Sequence, residues 1–156
     1  MTRESGRFPL THLMSGLGKW LIKATEDFER SLNNLLKSHY RKDQKGKSEF
    51  GLLLKTLIEQ LRTTTFPKTS LLEARQEKAP SKSLKPGQLL AKLYFRLPRL
   101  KGSAGEGRII YLIDTERKEI KLLYIYTHKD YSGRPPDKFL RDLMKQNSKE
   151  ISDEQG

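Results

Sequence analysis

Apolar and polar positions change period several times along this chain, and each change predicts an element. In RIIYLIDTERKEIKLLYIYTHKDY, Arg108 to Tyr131, two apolar runs flank a charged turn. Ile109–Ile113 and Ile120–Tyr126 are too short for a typical helix and rich in Ile, Leu and Tyr. They predict paired strands buried on both faces. Upstream, Lys92–Leu97 alternates, with Leu93, Phe95 and Leu97 on one side and Lys92, Tyr94 and Arg96 on the other. That pattern predicts a half-buried strand with a basic face, ended by Pro98. Lys19–Ala24 reads as a short strand carrying the single tryptophan.

Between these strands the period becomes helical. Thr25 stands as an N-cap before Glu26 and Asp27, where the helix dipole favours anions. Phe28, Leu32, Leu35, Leu36 and Tyr40 then make one apolar stripe. The helix fades in RKDQKGK. A second helix is predicted from about Ser48, with Phe50, Leu53, Leu54, Leu57, Ile58 and Leu61 following the i, i+3, i+4, i+7 pattern. Phe66-Pro67 closes this helical hairpin. Lys68–Gln88 is Lys/Ser/Pro-rich and reads as a long surface loop in which Leu71 and Leu72 are the anchors. Arg99 to Gly107 reads as a flexible basic loop. After Gly133 and Pro135-Pro136, Asp137 is the expected cap of a short last helix carrying Phe139, Leu140, Leu143 and Met144.

The expected fold class is α+β: an antiparallel sheet with an N-terminal helical hairpin packed on one face, plus a short C-terminal helix. The expected organisation is a flexible tail over 1–18, one domain over 19–144 with the 68–88 insertion, and a flexible tail over 145–156. Met14 is a candidate second start.

Composition narrows the function classes. The chain has 156 residues and a 35% apolar content, enough for one core. There is no cysteine, which excludes a disulfide framework and a thiolate metal site and suits a reducing cytoplasm. His12, His39 and His128 have no metal-ligand spacing, so no metal or small-molecule cofactor is expected. No apolar run reaches the ~20 residues of a membrane helix, and no membrane partner is expected. The net charge of +12 is the strongest global feature. A field of that sign favours polyanions: nucleic acid, an acidic protein partner or an anionic membrane surface.

A short strand, a helical hairpin, then KLYFRLPRLKGSAGEGRIIYLID and IKLLYIYTHKDY: this arrangement resembles the RelE/ParE toxin superfamily of bacterial type II toxin–antitoxin systems. The resemblance spans roughly Lys19 to Met144 and is carried most by GEGR before an Ile/Tyr strand and by the terminal His-Lys-Asp-Tyr. It implies a toxin held inactive by a cognate antitoxin. The RelE branch, favoured here, implies a ribosome-dependent mRNA endonuclease in the cytoplasm; the ParE branch implies non-catalytic inhibition of DNA gyrase. A basic nucleic-acid-binding domain unrelated to toxins is the third reading. The family's arginine at the start of the third strand falls on Arg108. Its preceding basic positions fall on Arg96, or on Arg99 or Lys101, and its terminal positions on His128, Lys129 and Tyr131. The 68–88 insertion and the helix after Pro136 depart from the family's pattern.

Metal-independent RNA cleavage needs a base for the 2′-OH, cations for the phosphorane and an acid for the leaving 5′-oxygen. Three residues are the catalytic candidates. His128 suits base or acid because its ordinary pKa lies near neutrality. Tyr131 suits base stacking or proton donation. Arg108 suits a bidentate phosphate clamp, in competition with an ion pair to Glu106 or Asp114. Arg96, Arg99, Lys101, Lys129 and Lys92 are the candidate RNA and phosphate contacts. GSAGEG is not a phosphate loop, because no GK[ST] and no helix follow it. Tyr124 and Tyr126 read as sheet packing.

Overall fold

A computed structural model describes residues 19–145. The expected tails over 1–18 and 146–156, and Met14, lie outside the described residues. The elements run β1 (Leu21–Ala24), α1 (Glu26–His39), α2 (Gln44–Thr63), β2 (Leu72–Glu77), β3 (Gln88–Arg96), a 3₁₀ turn (Gly102–Gly105), β4 (Glu106–Asp114) and β5 (Glu119–Thr127). A last helix, α3, occupies 137–145 of the described residues. No helix among them is long and apolar enough to cross a membrane.

The five strands form one sheet in the order β1-β5-β4-β3-β2. It is mixed, not antiparallel throughout as expected. β2 to β5 pair antiparallel, but β1 joins the edge of β5 in parallel. Two helices and then the alternating strands β2, β3 and β4 separate β1 from β5, and this long crossover brings β5 back in the direction of β1.

One sheet face carries Ala91, Leu93, Phe95, Ile109, Tyr111, Ile113, Ile120, Leu122 and Ile125, and buries them with Phe28, Leu35, Phe50, Leu57 and Leu61 of α1 and α2. The other face carries Leu90, Ile110, Leu112, Leu123 and Tyr126 against Leu140, Leu143 and Met144 of α3. The two central strands are therefore buried on both faces, as their unbroken apolar runs predict. A bulge between Ile110 and Tyr111 shifts the register with β5, whose Tyr124 and Leu122 pair with those two residues. Downstream of the bulge, Ile125 faces α1, and Tyr124 and Tyr126 face α3.

Three element boundaries differ from the sequence expectation. β1 begins at Leu21, after Trp20. α2 begins at Gln44, not near Ser48, because the side chain of Asp43 accepts from the Gly46 N–H and caps it. Only glycine fits at 46, where a Cβ would lie 2.9 Å from the Tyr40 ring. Most consequentially, 68–88 is not simply a loop. Leu72–Glu77 forms β2, paired along its whole length with β3, and Leu72 is buried opposite Phe95. LEARQE shows no apolar alternation because β2 is an edge strand whose outer side is solvated.

Candidate functional site

Asp137, expected as a helix cap, instead lies in the first turn of α3 and accepts from Arg134 Nη2 at 2.7 Å. Arg134 also reaches Glu77 of β2 at 3.1 Å and the Lys78 carbonyl. The same Glu77 lies 3.7 Å from Lys92. This chain of charges ties α3 to the sheet and fixes what remains uncovered beside it.

What remains uncovered is centred on Tyr94. In β3 it is paired with Arg108 of β4, and the Arg108 Cζ lies 4.5 Å from the Tyr94 ring centroid. Arg75 of β2 approaches the same ring at 4.9 Å and Lys92 at 5.3 Å. Three cations around one electron-rich ring is a favourable arrangement electrostatically. Each cation also has a carboxylate. Arg75 bonds Glu73 at 2.9 Å, Lys92 faces Glu77, and Arg108 bonds Glu106 at 3.2 Å. The Glu73 carboxyl is held below its ordinary range by the hydrogen bond from Arg75. Arg108 further donates to the Gly107 carbonyl at 3.0 Å. Beside this cluster lies an open depression of about 350 Å³ whose lining includes Ser70, Leu71, Tyr94, Glu106 and Arg108.

The terminal His-Lys-Asp-Tyr stretch after the expected Ile120–Tyr126 strand forms a turn. β5 stops at Thr127, whose N–H and hydroxyl both donate to the Asp130 carboxylate, at 3.0 and 3.1 Å. Asp130 thus closes a turn that carries His128 and Lys129. The His128 N–H donates to the Glu106 carbonyl at 2.9 Å, which sets this turn beside the residue that pairs with Arg108. Tyr131 packs edge-on against Tyr126 at 5.6 Å and lies 6.5 Å from Phe139 of α3. Tyr126 in turn is the register partner of Arg108. Arg108, His128 and Tyr131 are therefore drawn to one end of the sheet, through Glu106 on one side and Tyr126 on the other.

The other basic candidates are placed less uniformly. Lys92 is buried, 6% exposed, rather than displayed on a basic face, because α3 and β2 enclose that side of β3. Arg96 donates to the carbonyls of Leu100 and Gly102 at 2.8 and 3.3 Å. It thereby shapes the segment expected to be a flexible loop, which folds instead into the 3₁₀ turn. Gly105 is needed there, since a Cβ would lie 2.6 Å from the Leu100 carbonyl and 2.7 Å from the Arg96 guanidinium. Arg99 makes two 3.2 Å hydrogen bonds to Glu49 of α2. Lys101 and Lys129 are exposed and make no ion pair among the described residues. Arg75 was not among the sequence candidates. Its position depends on β2, and the alternation of Arg75 with Glu73 and Glu77 was the one signal for it.

Among the described residues no three of His, Asp or Glu converge as a metal site would require. Burial of Tyr126 pushes its phenol well above the ordinary range, and its hydroxyl donates to the Gly133 carbonyl at 3.3 Å.

No family model matches the sequence, and no curated protein does. A solved structure, the crystal structure of the archaeal RelE-RelB complex from Pyrococcus horikoshii OT3, is similar to this chain. The identity is 20% and the TM-score 0.41, over 74% of this chain and 98% of that chain. A likeness at that level assigns no role to any residue, so the roles argued below rest on the chemistry of the cluster.

Proposed function

We propose that this chain is a RelE-like toxin that cuts mRNA on the ribosome and is held inactive by a cognate antitoxin. The observation that carries the reading is Arg108. Its guanidinium lies at the sheet rim, backed by Tyr94 and facing the open depression, with only one carboxylate bond at 3.2 Å to give up. That carboxylate, on Glu106, is 43% exposed. The Arg108 side chain is itself only 12% exposed, so the pair is half-buried and costs more to break than the ~0–1 kcal/mol of a fully exposed one. A phosphodiester can displace Glu106 and take two parallel N–H bonds from the guanidinium instead.

In the proposed reaction Arg108 stabilises the charge that develops on the phosphorane. The 2′-oxygen attacks phosphorus, its proton goes to a base, and the bond to the 5′-oxygen breaks as an acid protonates it. The products are a 2′,3′-cyclic phosphate and a 5′-hydroxyl. His128 is proposed for one proton transfer and Tyr131 for the other. Arg75 joins the proposed phosphate contacts; Lys92 is better placed to hold Tyr94 and Glu77 than to touch RNA. The ribosome would align the 2′-oxygen in line with the leaving group, which so open a site cannot enforce alone.

Expression in growing cells tests the reading. Protein synthesis should stop within minutes, and 5′-end mapping should find new 5′-hydroxyl ends within translated messages. Inhibited DNA supercoiling with intact messages would overturn it in favour of the gyrase-type binder.

A further inference from the structure

β1 pairs with β5 only from Glu119 to Leu122, so the second half of β5 has a free edge. α1 stands along that edge. Thr25 bonds the Leu122 carbonyl through both its N–H and its hydroxyl, at 3.1 and 2.9 Å. Ser31 Oγ accepts from the Ile125 N–H at 3.1 Å. These bonds occupy backbone groups that an added peptide strand would need. What is left between α1 and the end of β5 is a groove of about 350 Å³, at the low end of the ~300–1,000 Å³ of small-molecule sites.

Its lining selects the chemistry of an occupant. Asn34, Ser38 and His39 project from α1, and Tyr124, Asp130 and Tyr131 close the other side. The lining contains no lysine or arginine, so the groove does not suit a phosphate. An amide, a hydroxyl and an imidazole opposite tyrosine rings suit a flat heteroaromatic ring with donors and acceptors on its edge. Tyr124 is positioned rather than loose: Phe139 meets its ring edge-on at 4.9 Å. Burial first, then neighbouring Tyr131 and Asp130, push its phenol up to about 12. Tyr126 lines the groove and is also the register partner of Arg108. The Arg108 guanidinium turns from Tyr126 towards Tyr94 of β3, so an RNA strand crossing this end of the sheet would set a base in the groove and a phosphate at Arg108 on opposite sides of Tyr126.

We propose that this groove holds one base of the RNA whose phosphate sits at Arg108, with Asn34, Ser38 and His39 reading the edge of that base. The inference rests on the RNA reading above and adds to it a specificity site contributed by α1.

Binding of 2′-O-methylated hexanucleotides, which cannot be cut by attack of the 2′-oxygen, tests it. Oligo(A), oligo(C) and oligo(U) are titrated by fluorescence anisotropy into wild type, Asn34→Leu and Arg108→Ala. Asn34 is exposed on α1, so its replacement leaves the core intact, which circular dichroism checks. Wild type should separate the best and worst sequences by about tenfold, the size expected of one base-edge contact. Asn34→Leu should shrink the spread to about twofold or less, and Arg108→Ala should weaken all three alike while keeping it. Equal binding of all three by wild type, or an undiminished spread in Asn34→Leu, overturns the groove but leaves RNA binding at Arg108 standing. No binding by wild type overturns both.

Discussion

Arg108 lies on the ring of its cross-strand partner Tyr94, 4.5 Å from the centroid, and holds Glu106 at 3.2 Å on its outer side. The aromatic support limits where the guanidinium can go, and the exposed carboxylate competes with any incoming phosphate. Glu106→Gln removes the competing charge but keeps the shape. It should raise affinity for single-stranded RNA at least about twofold, because a half-buried ion pair no longer competes with the incoming phosphate. A titration at fixed ionic strength measures it; unchanged or weaker binding would show that Glu106 does not guard the phosphate position.

The partner prediction follows from charge. At +12 the chain should meet an acidic antitoxin segment quickly, and added salt should slow association markedly while changing dissociation less. Stopped-flow mixing with the antitoxin over a range of salt concentrations measures both rates. Salt-independent association would remove electrostatic steering from the account.

Stability at the α1–β5 edge should depend on Ser31. It is buried, donates to the Phe28 carbonyl at 2.8 Å and accepts from the Ile125 N–H. Ser31→Ala leaves that N–H buried without a partner, at a cost of about 1–3 kcal/mol. The melting temperature should fall by several degrees. A change within experimental error would mean that water replaces the hydroxyl there.

Buried tyrosines should set the alkaline limit of the fold. Burial first, then the charges of Asp43 and Glu49, push Tyr40 up to about 12 from 10.0; Tyr124 is raised to about 12, also mainly by burial. Tyr111 is raised by burial too, and its hydroxyl donates to the Thr65 carbonyl at 2.7 Å. The unfolded chain ionises first as pH rises, so it releases protons that the folded chain keeps. The contribution of these tyrosines is fully present below pH 10 and is lost as pH climbs towards 12. Denaturant unfolding across this range should show stability falling, with tyrosinate absorbance appearing alongside unfolding. Early ionisation of Tyr40 or Tyr124 in a folded protein would contradict it.

Much of the architecture was legible because it is written in period. The stripe from Phe50 to Leu61 and the doubly apolar runs of β4 and β5 each report their own burial. Thr25 reports a cap, and its hydroxyl accepts from the Phe28 N–H as expected. What was not legible depends on pairing. β2 has a single large apolar residue, Leu72, and becomes a strand only against β3. Arg75 therefore reaches Tyr94 through a contact between strands that no local pattern announces. The bulge at Ile110/Tyr111 leaves no compositional mark, yet it turns Tyr126 to the same side as Arg108 and Ile125 to the helices. Lys92 belongs to an alternating strand, and its burial follows from α3, whose docking is set by Arg134, Glu77 and Asp137.

The most direct test of the central claim is single-turnover cleavage of mRNA on programmed ribosomes by wild type and Arg108→Ala. The Arg108 side chain is only 12% exposed and packs on Tyr94, so the variant's melting temperature is measured beside its rate and only folded protein is compared. Wild type should leave 5′-hydroxyl and 2′,3′-cyclic phosphate ends. Arg108→Ala should cut slower by a factor on the order of 10²–10³, the size of removing one donor to a developing oxyanion. Uncut message with wild type, or cleavage by a folded Arg108→Ala at the wild-type rate, would contradict the account.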